Sequence, residues 1–197
     1  MRVILASKSP RRKELLSEIF EKFEIITADA DESLGSMTPI DGVRELAIRK
    51  GRALIELQES LGEDFSQSLI ISSDTLVEKG GVPYGKPRDE EDAMRMLLSL
   101  SGASHNVHTG VAVHYRGRVL SGVASTGVNF RSLSTEEILE YIATGEPMDK
   151  AGAYGIQGGA GKFVESIDGD FDTVVGLSVR LTRSLIEAAL CEEDKPC

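Results

Sequence analysis

The sequence predicts an α/β fold on a mixed, elongated central sheet flanked by helices, and three observations predict it. Short apolar runs at residues 3–6 and 69–71 read as buried strands. They alternate with stretches of helical periodicity, of which residues 41–61 are the longest. Residues 106–130 instead alternate apolar with other side chains around the turn Tyr115-Arg116-Gly117-Arg118, which reads as a long hairpin. That hairpin breaks strict β-α alternation. A mixed sheet with a cleft is therefore expected in place of a doubly wound parallel sheet.

The elements follow in order. The strand at 3–6 stops abruptly, and Ser9 caps a helix whose first position is Pro10, where a missing N–H costs nothing. This helix runs to 20 with Leu15, Leu16 and Ile19 on its buried side. A strand at 23–27 leads into the acidic loop Asp29-Ala30-Asp31-Glu32. The helix at 41–61 carries Val43, Leu46, Ala47, Leu54, Leu57 and Leu61 on one stripe, and Lys50 falls on the same stripe. The strand at 69–71 ends in Ser72-Ser73-Asp74-Thr75, and Lys79-Gly80-Gly81 is a turn. Gly85-Lys86-Pro87 opens a helix at Asp89 that stops at Gly102. After the hairpin, Ser134-Thr135-Glu136-Glu137 is a capping box for a helix to Ala143. A Gly-rich loop at 152–161, a strand pair and a helix at 177–190 complete the chain.

A length of 197 residues suits one domain, or two lobes sharing a sheet, and the reading is a single domain over 1–190 with a flexible tail at 191–197. A net charge of −10 argues against a nucleic-acid surface, which needs excess Lys and Arg. It leaves room for a small anion bound by local basic groups, with a divalent cation held by carboxylates. No apolar stretch approaches the roughly 20 residues of a membrane span, and the N-terminal apolar run is too short for a signal peptide. A cytoplasmic protein without membrane partners is expected. Cys191 and Cys197 both lie in the last seven residues and make neither a disulfide framework nor a zinc site. His105, His108 and His114 share one strand region, where His105 and His108 differ in parity; surface placement or cross-strand packing is expected and no metal is assigned to them.

The most informative segment is Ser7-Lys8-Ser9-Pro10-Arg11-Arg12. It joins a strand to a helix N-terminus, where free N–H groups and the dipole favour an anion. Arg11 and Arg12 sit at the end where a cation is disfavoured by about 0.3–1 kcal/mol, which makes sense if phosphate lies between them. A plain surface helix with solvated arginines fits the local sequence equally well. Asp74 stands where an apolar strand ends and can accept a proton from water or hold a metal, or simply cap a turn. Glu32 can supply a second metal ligand, or belong to a solvated loop. Lys50 and Lys86 are candidate phosphate clamps, against a snorkelling stem and an ordinary turn lysine respectively. Gln157, in Gly152-Ala153-Tyr154-Gly155-Ile156-Gln157-Gly158, has an amide with both donor and acceptor, which suits the edge of uracil or thymine. The same loop fails the Walker A pattern, since Ile156 and Phe163 stand where Gly and Ser/Thr are needed.

Taken together these segments resemble the Maf family of nucleoside triphosphate pyrophosphatases. The match runs through Leu5 to Arg12, Ser73-Asp74-Thr75, Gly85 to Asp89, Asp149 to Gly158 and Val174 to Leu177, in the family's order and over nearly the whole chain. Departures are small: Lys8 replaces a smaller residue, and Leu177-Ser178 the usual Leu-Pro. The resemblance implies two lobes with an active-site cleft, a homodimer, and a divalent metal such as Mg²⁺ or Mn²⁺. It implies hydrolysis of a nucleoside triphosphate to monophosphate and pyrophosphate, in a house-cleaning role that extends to modified pyrimidine nucleotides. Asp74 then corresponds to the catalytic proton acceptor and Glu32, with Asp74, to the metal site. Ser7, Arg12, Lys50 and Lys86 correspond to triphosphate contacts. Arg11, Thr75 and Gln157 match the branch directed at dTTP and UTP. A competing reading is a nucleotide-binding regulator of cell division or growth with little hydrolysis, which would have no need of a water-activating Asp74.

Overall fold

The computed structural model describes residues 1–191, so the expected tail lies outside the described residues except for Cys191, an exposed free thiol. The N-terminal apolar run forms β1 (Arg2–Leu5). Ser9 then caps α1 (Pro10–Ser17) by accepting from the Arg12 amide at 3.4 Å. α1 ends three residues before the predicted 20, because the Ile19 amide turns back to the Leu16 carbonyl (2.9 Å) and tightens the last turn. The predicted strand at 23–27 shrinks to β2 (Glu24–Ile25), an exposed edge. α2 (Pro39–Ser60) starts two residues earlier than the periodicity suggested, since Thr38 is the cap and bonds the Asp41 amide at 3.2 Å.

The largest departure is β3 (Ser68–Lys79), which does not end at Ser72-Ser73-Asp74-Thr75 but runs through it. Gly80 and Gly81, with φ of 61° and 81°, then turn it into β4 (Val82–Tyr84), the positive-φ geometry of a two-residue hairpin. α3 (Glu90–Leu100) is capped by Asp89. The predicted hairpin is β5 (Ser104–Tyr115) and β6 (Arg118–Phe130), and α4 (Thr135–Ile142) carries the expected capping box of Ser134 and Glu137. Three short 3-10 turns follow, Glu146–Asp149 before the Gly-rich region and Ala151–Ala153 and Gly159–Phe163 at its two ends. In place of a strand pair come one strand, β7 (Val164–Asp168), and a short helix, α5 (Phe171–Val175). α6 (Val179–Cys191) is the last element.

The strands form one seven-stranded mixed sheet in the order β2-β1-β3-β5-β6-β7, with β4 paired to β3. β1 is parallel to both β2 and β3, whereas β4 and β7 are antiparallel to their partners. The chain divides into two compact units. The first comprises Met1–Asp74, Thr109–Ala124 and the residues from Gly176 on; the second comprises Thr75–His108 and Ser125–Val175. Among the described residues, no helix is long and apolar enough to cross a membrane.

In the first unit strand parity divides the core. Val3, Leu5, Leu69 and Ile71 pack with Leu16 of α1 and with Ile186 and Ala189 of α6. Their neighbours Ile4, Ala6 and Ile70 face the other way, onto Leu54 of α2 and Phe65. Each such fully buried Leu or Ile stabilises the fold by roughly 1.5–3 kcal/mol. α2 comes very close to the sheet because small residues stand at the contact, Ala47 and Gly51 on the helix and Gly110 on β5. A Cβ on Gly110 of β5 would run into the Val43 carbonyl, and one on Gly51 would strike the His114 ring. The Ser72 hydroxyl donates to the Ala47 carbonyl at 2.6 Å. Beyond this contact the apolar stripe overshoots the core, and Leu57 and Leu61 are exposed. The second unit is built on α3 and α4, and on edge-to-face aromatic contacts of Phe130 with Tyr154 and Phe163, and of Phe163 with Tyr141.

Candidate active site

The site in the first unit follows from strand register. Leu5 lies opposite Ile71, and the Ala6 amide donates to the Ile71 carbonyl at 2.8 Å. The residues after β1 are thus carried forward beside Ser72, Ser73 and Asp74 of β3. Ser7 is buried, and its Oγ accepts from the Ser9 amide and from Arg12 Nη1, both at 3.3 Å. Arg12 Nε donates to the Gly176 carbonyl at 2.8 Å, and Ser73 Oγ donates to that same oxygen at 2.9 Å. One backbone carbonyl therefore fixes the direction of the guanidinium and ties α1, β3 and the α5–α6 connection together.

Charge is arranged in layers. Burial lowers the Arg12 pKa from its ordinary value; Asp74 opposes this, Arg11 adds to it, and Glu32 opposes it. The guanidinium remains a cation at neutral pH. Lys50 Nζ pairs with Asp74 and, at 2.8 Å, with Glu32 Oε1. It does not snorkel: its side chain is 19% exposed and that of Asp74 is 13% exposed, while that of Glu32 is 57% exposed. Asp74 stands in the middle of a continuous strand rather than at a strand end, so the ladder holds its backbone. Arg49, the neighbour of Lys50 on α2, donates to the carbonyls of Asp31 (3.5 Å) and Ser33 (2.9 Å). These two bonds flank Glu32 and hold its loop against the helix.

Ser7, Arg12, Glu32, Lys50 and Asp74 are thus brought together in one unit, with Arg11 beside them in the first turn of α1. Thr75, Lys86 and Gln157 belong to the second unit. Thr75 follows Asp74 on β3, while Lys86 and Gln157 are exposed. The loops of the last two are joined, since the Gly152 amide donates to the Gly85 carbonyl at 3.0 Å. Sequence reasoning missed Ser73, Arg49 and the Gly176 carbonyl. A pair of serines inside an apolar run was the available signal for buried, satisfied hydroxyls.

All three histidines are buried, so the packing alternative holds and the surface one does not. His105 Nε2 meets the Tyr154 hydroxyl at 2.9 Å, and His108 Nδ1 meets Ser125 Oγ at 2.7 Å. Burial pushes His105 and His114 down to about 4, helped by Lys79 and Arg52 respectively, so both are neutral at pH 7.

Among the described residues no group of three or more His, Cys, Asp or Glu side chains forms a preformed metal cage. What the site offers is the pair Glu32 and Asp74, two hard oxygen donors that converge on a single cation, the Lys50 ammonium. Mg²⁺ and Mn²⁺ sites often use one or two carboxylates and complete their shell with phosphate oxygens and water, so the donor set fits such an ion.

A family model described as "Maf-like protein" matches residues 2–189. Among curated proteins, one from Thermococcus kodakarensis named dTTP/UTP pyrophosphatase is 46% identical over 185 residues, covering 94% of this chain and 95% of its own. One of the same name from Shewanella denitrificans is 48% identical over 198 residues, covering 97% of each chain. A third, from Photorhabdus laumondii, is 47% identical over 183 residues, covering 92% and 91%.

Proposed function

Because the chain belongs to the Maf-like protein family, we propose that it is a nucleoside triphosphate pyrophosphatase that hydrolyses dTTP and UTP. The observation that carries the reading is the pairing of a phosphate-type cation cluster, Arg12 and Lys50, with a held carboxylate, Asp74. In the reaction, water attacks the α-phosphorus and passes a proton to Asp74. The α–β bridging bond breaks, pyrophosphate leaves with the bonding electrons, and nucleoside monophosphate remains. Arg12, Lys50, Lys86, Ser7 and the α1 N-terminus bind and orient the triphosphate. Lys50, which pairs with both carboxylates in the free protein, turns to the triphosphate as it arrives and releases Asp74 to the water.

Glu32 and Asp74 are the residues that would hold a divalent ion, and bound there it would offset charge on the phosphate oxygens. Gln157 reads the pyrimidine edge, with Thr75 and Arg11 contributing to selectivity. Homodimerisation and a cytoplasmic, house-cleaning role rest on the resemblance in sequence. Analytical ultracentrifugation at a single protomer mass would refute the dimer.

The test is product analysis of pure protein with dTTP, UTP, CTP, GTP and ATP, each with Mg²⁺ or Mn²⁺ and with chelator. Monophosphate plus pyrophosphate from dTTP and UTP, lost on chelation, is the expected result. Tight triphosphate binding without turnover would replace the enzyme with a nucleotide-binding regulator.

A further inference from the structure

We infer that Glu146 and Tyr141 are positioning residues that set the pyrimidine selectivity of the enzyme by holding the loop that carries Gln157; this rests on the base-reading role given to Gln157 above. Gln157 is exposed and lies in the middle of a glycine-rich segment, which by itself would not fix a side chain to the precision that base recognition needs. The structure supplies the fixing from outside the loop. The Gly159 amide donates to Glu146 Oε2 at 3.0 Å, and the Gly155 amide donates to the Tyr141 hydroxyl at 3.1 Å. The Tyr141 hydroxyl in turn donates to Glu146 Oε1 at 3.0 Å. One carboxylate and one phenol therefore clamp the backbone two residues before and two residues after Gln157.

The clamp is shaped to the loop. A Cβ on Gly158 would run into the Glu146 carboxylate, and one on Gly155 would come within 3.0 Å of Glu146 Oε1, so these glycines let the backbone close around the acid. The clamp is also rooted. Tyr141 is buried on the second unit's core, with its ring edge-to-face on Phe163 at 5.2 Å. Burial raises its pKa, so it stays a neutral donor. Both amides need an acceptor, and the charged Glu146 gives the stronger kind of hydrogen bond. Neither Glu146 nor Tyr141 needs to touch substrate for this role.

The experiment is a double-mutant cycle on the intact protein, with kcat and KM measured for dTTP, UTP and GTP. Glu146→Gln and Tyr141→Phe are each expected to lower dTTP selectivity over GTP about tenfold, the factor one charge-assisted hydrogen bond carries, mainly through KM. Combined with Gln157→Ala, neither should add to the loss that Gln157→Ala already causes. Hydrogen exchange should quicken at the Gly155 and Gly159 amides while the α3 and α4 amides keep their protection. Additive losses in the double variants, or unchanged selectivity in Glu146→Gln beside an effective Gln157→Ala, would overturn the inference. If Gln157→Ala is silent while Glu146→Gln costs selectivity, the loop is still positioned by Glu146 and only the base-reading role of Gln157 fails.

Discussion

At the scale of single residues, Asp74 combines a chemical duty with an unusual degree of fixity. Its backbone belongs to a strand that continues to Lys79, and its carboxylate is already engaged by Lys50. Replacing it by Asn keeps the shape and removes the proton acceptor. Asp74→Asn should retain the wild-type circular dichroism spectrum and melting temperature while kcat falls at least about a hundredfold. A variant that turns over normally would take Asp74 out of the mechanism. For Gln157, conversion to Glu replaces a donor by a second acceptor and adds charge. Competition assays should then show kcat/KM for dTTP and UTP falling at least about tenfold relative to GTP, with unchanged ratios counting against base reading. Several of these positions were legible in the sequence because they violate a local rule: arginines in the first turn of a helix, and a lysine on an apolar stripe. Arg49 violates none, and the serine pair inside an apolar run signals only that the Ser73 hydroxyl is buried. Their partners are backbone carbonyls distant in the chain or in an irregular loop, and no local pattern encodes them.

Among the elements, α2 matters most, because it supplies Lys50 to the carboxylates and Arg49 to the Glu32 loop. Its depth on the sheet depends on small residues in contact. Gly110→Ala would push a methyl group into the Val43 carbonyl, a backbone atom that cannot swing aside. It should destabilise the protein by about 1–3 kcal/mol in urea titration, and activity should drop as Lys50 is displaced. A neutral Gly110→Ala would mean that helix and sheet slide apart without consequence. Element types were readable in advance wherever a periodicity or a cap was strong, as at Ser9 and Ser134. The sequence suggests too short a β3 because Ser72 and Ser73 look like a strand end; their hydroxyls satisfy buried carbonyls instead, so polarity there marks packing rather than solvent. Likewise Leu57 and Leu61 keep helical phase but outrun the sheet they would cover.

For the whole molecule, the buried histidines make stability depend on pH. His105 and His114 have folded-state pKa values of about 4, below the ordinary 6.5, because burial disfavours their charged form. Between these values the unfolded chain binds protons that the folded protein does not, so stability falls as pH drops from 6.5 towards 4. The slope approaches about 1.4 kcal/mol per pH unit for each histidine. Asp92 and Glu137, both held down to about 2 by hydrogen bonds from Arg95 and Arg131 respectively, extend the loss from about pH 4 towards 2. Urea titrations from pH 4 to 7 should show the first window, and His114→Asn should shrink its slope. A flat profile would mean that the histidines are charged in the folded state.

The Gly176 carbonyl, shared by Arg12 and Ser73, has a consequence for how the protein can vary. A main-chain oxygen is not encoded by any codon, so no point mutation deletes it. Inheritance can touch the junction only through its two donors, or through residue 176, whose φ of 128° is poorly accessible to anything but glycine. A saturating mutational scan selected on hydrolysis should therefore show three intolerant positions, 12, 73 and 176, with no compensating allele at any one of them for a loss at another.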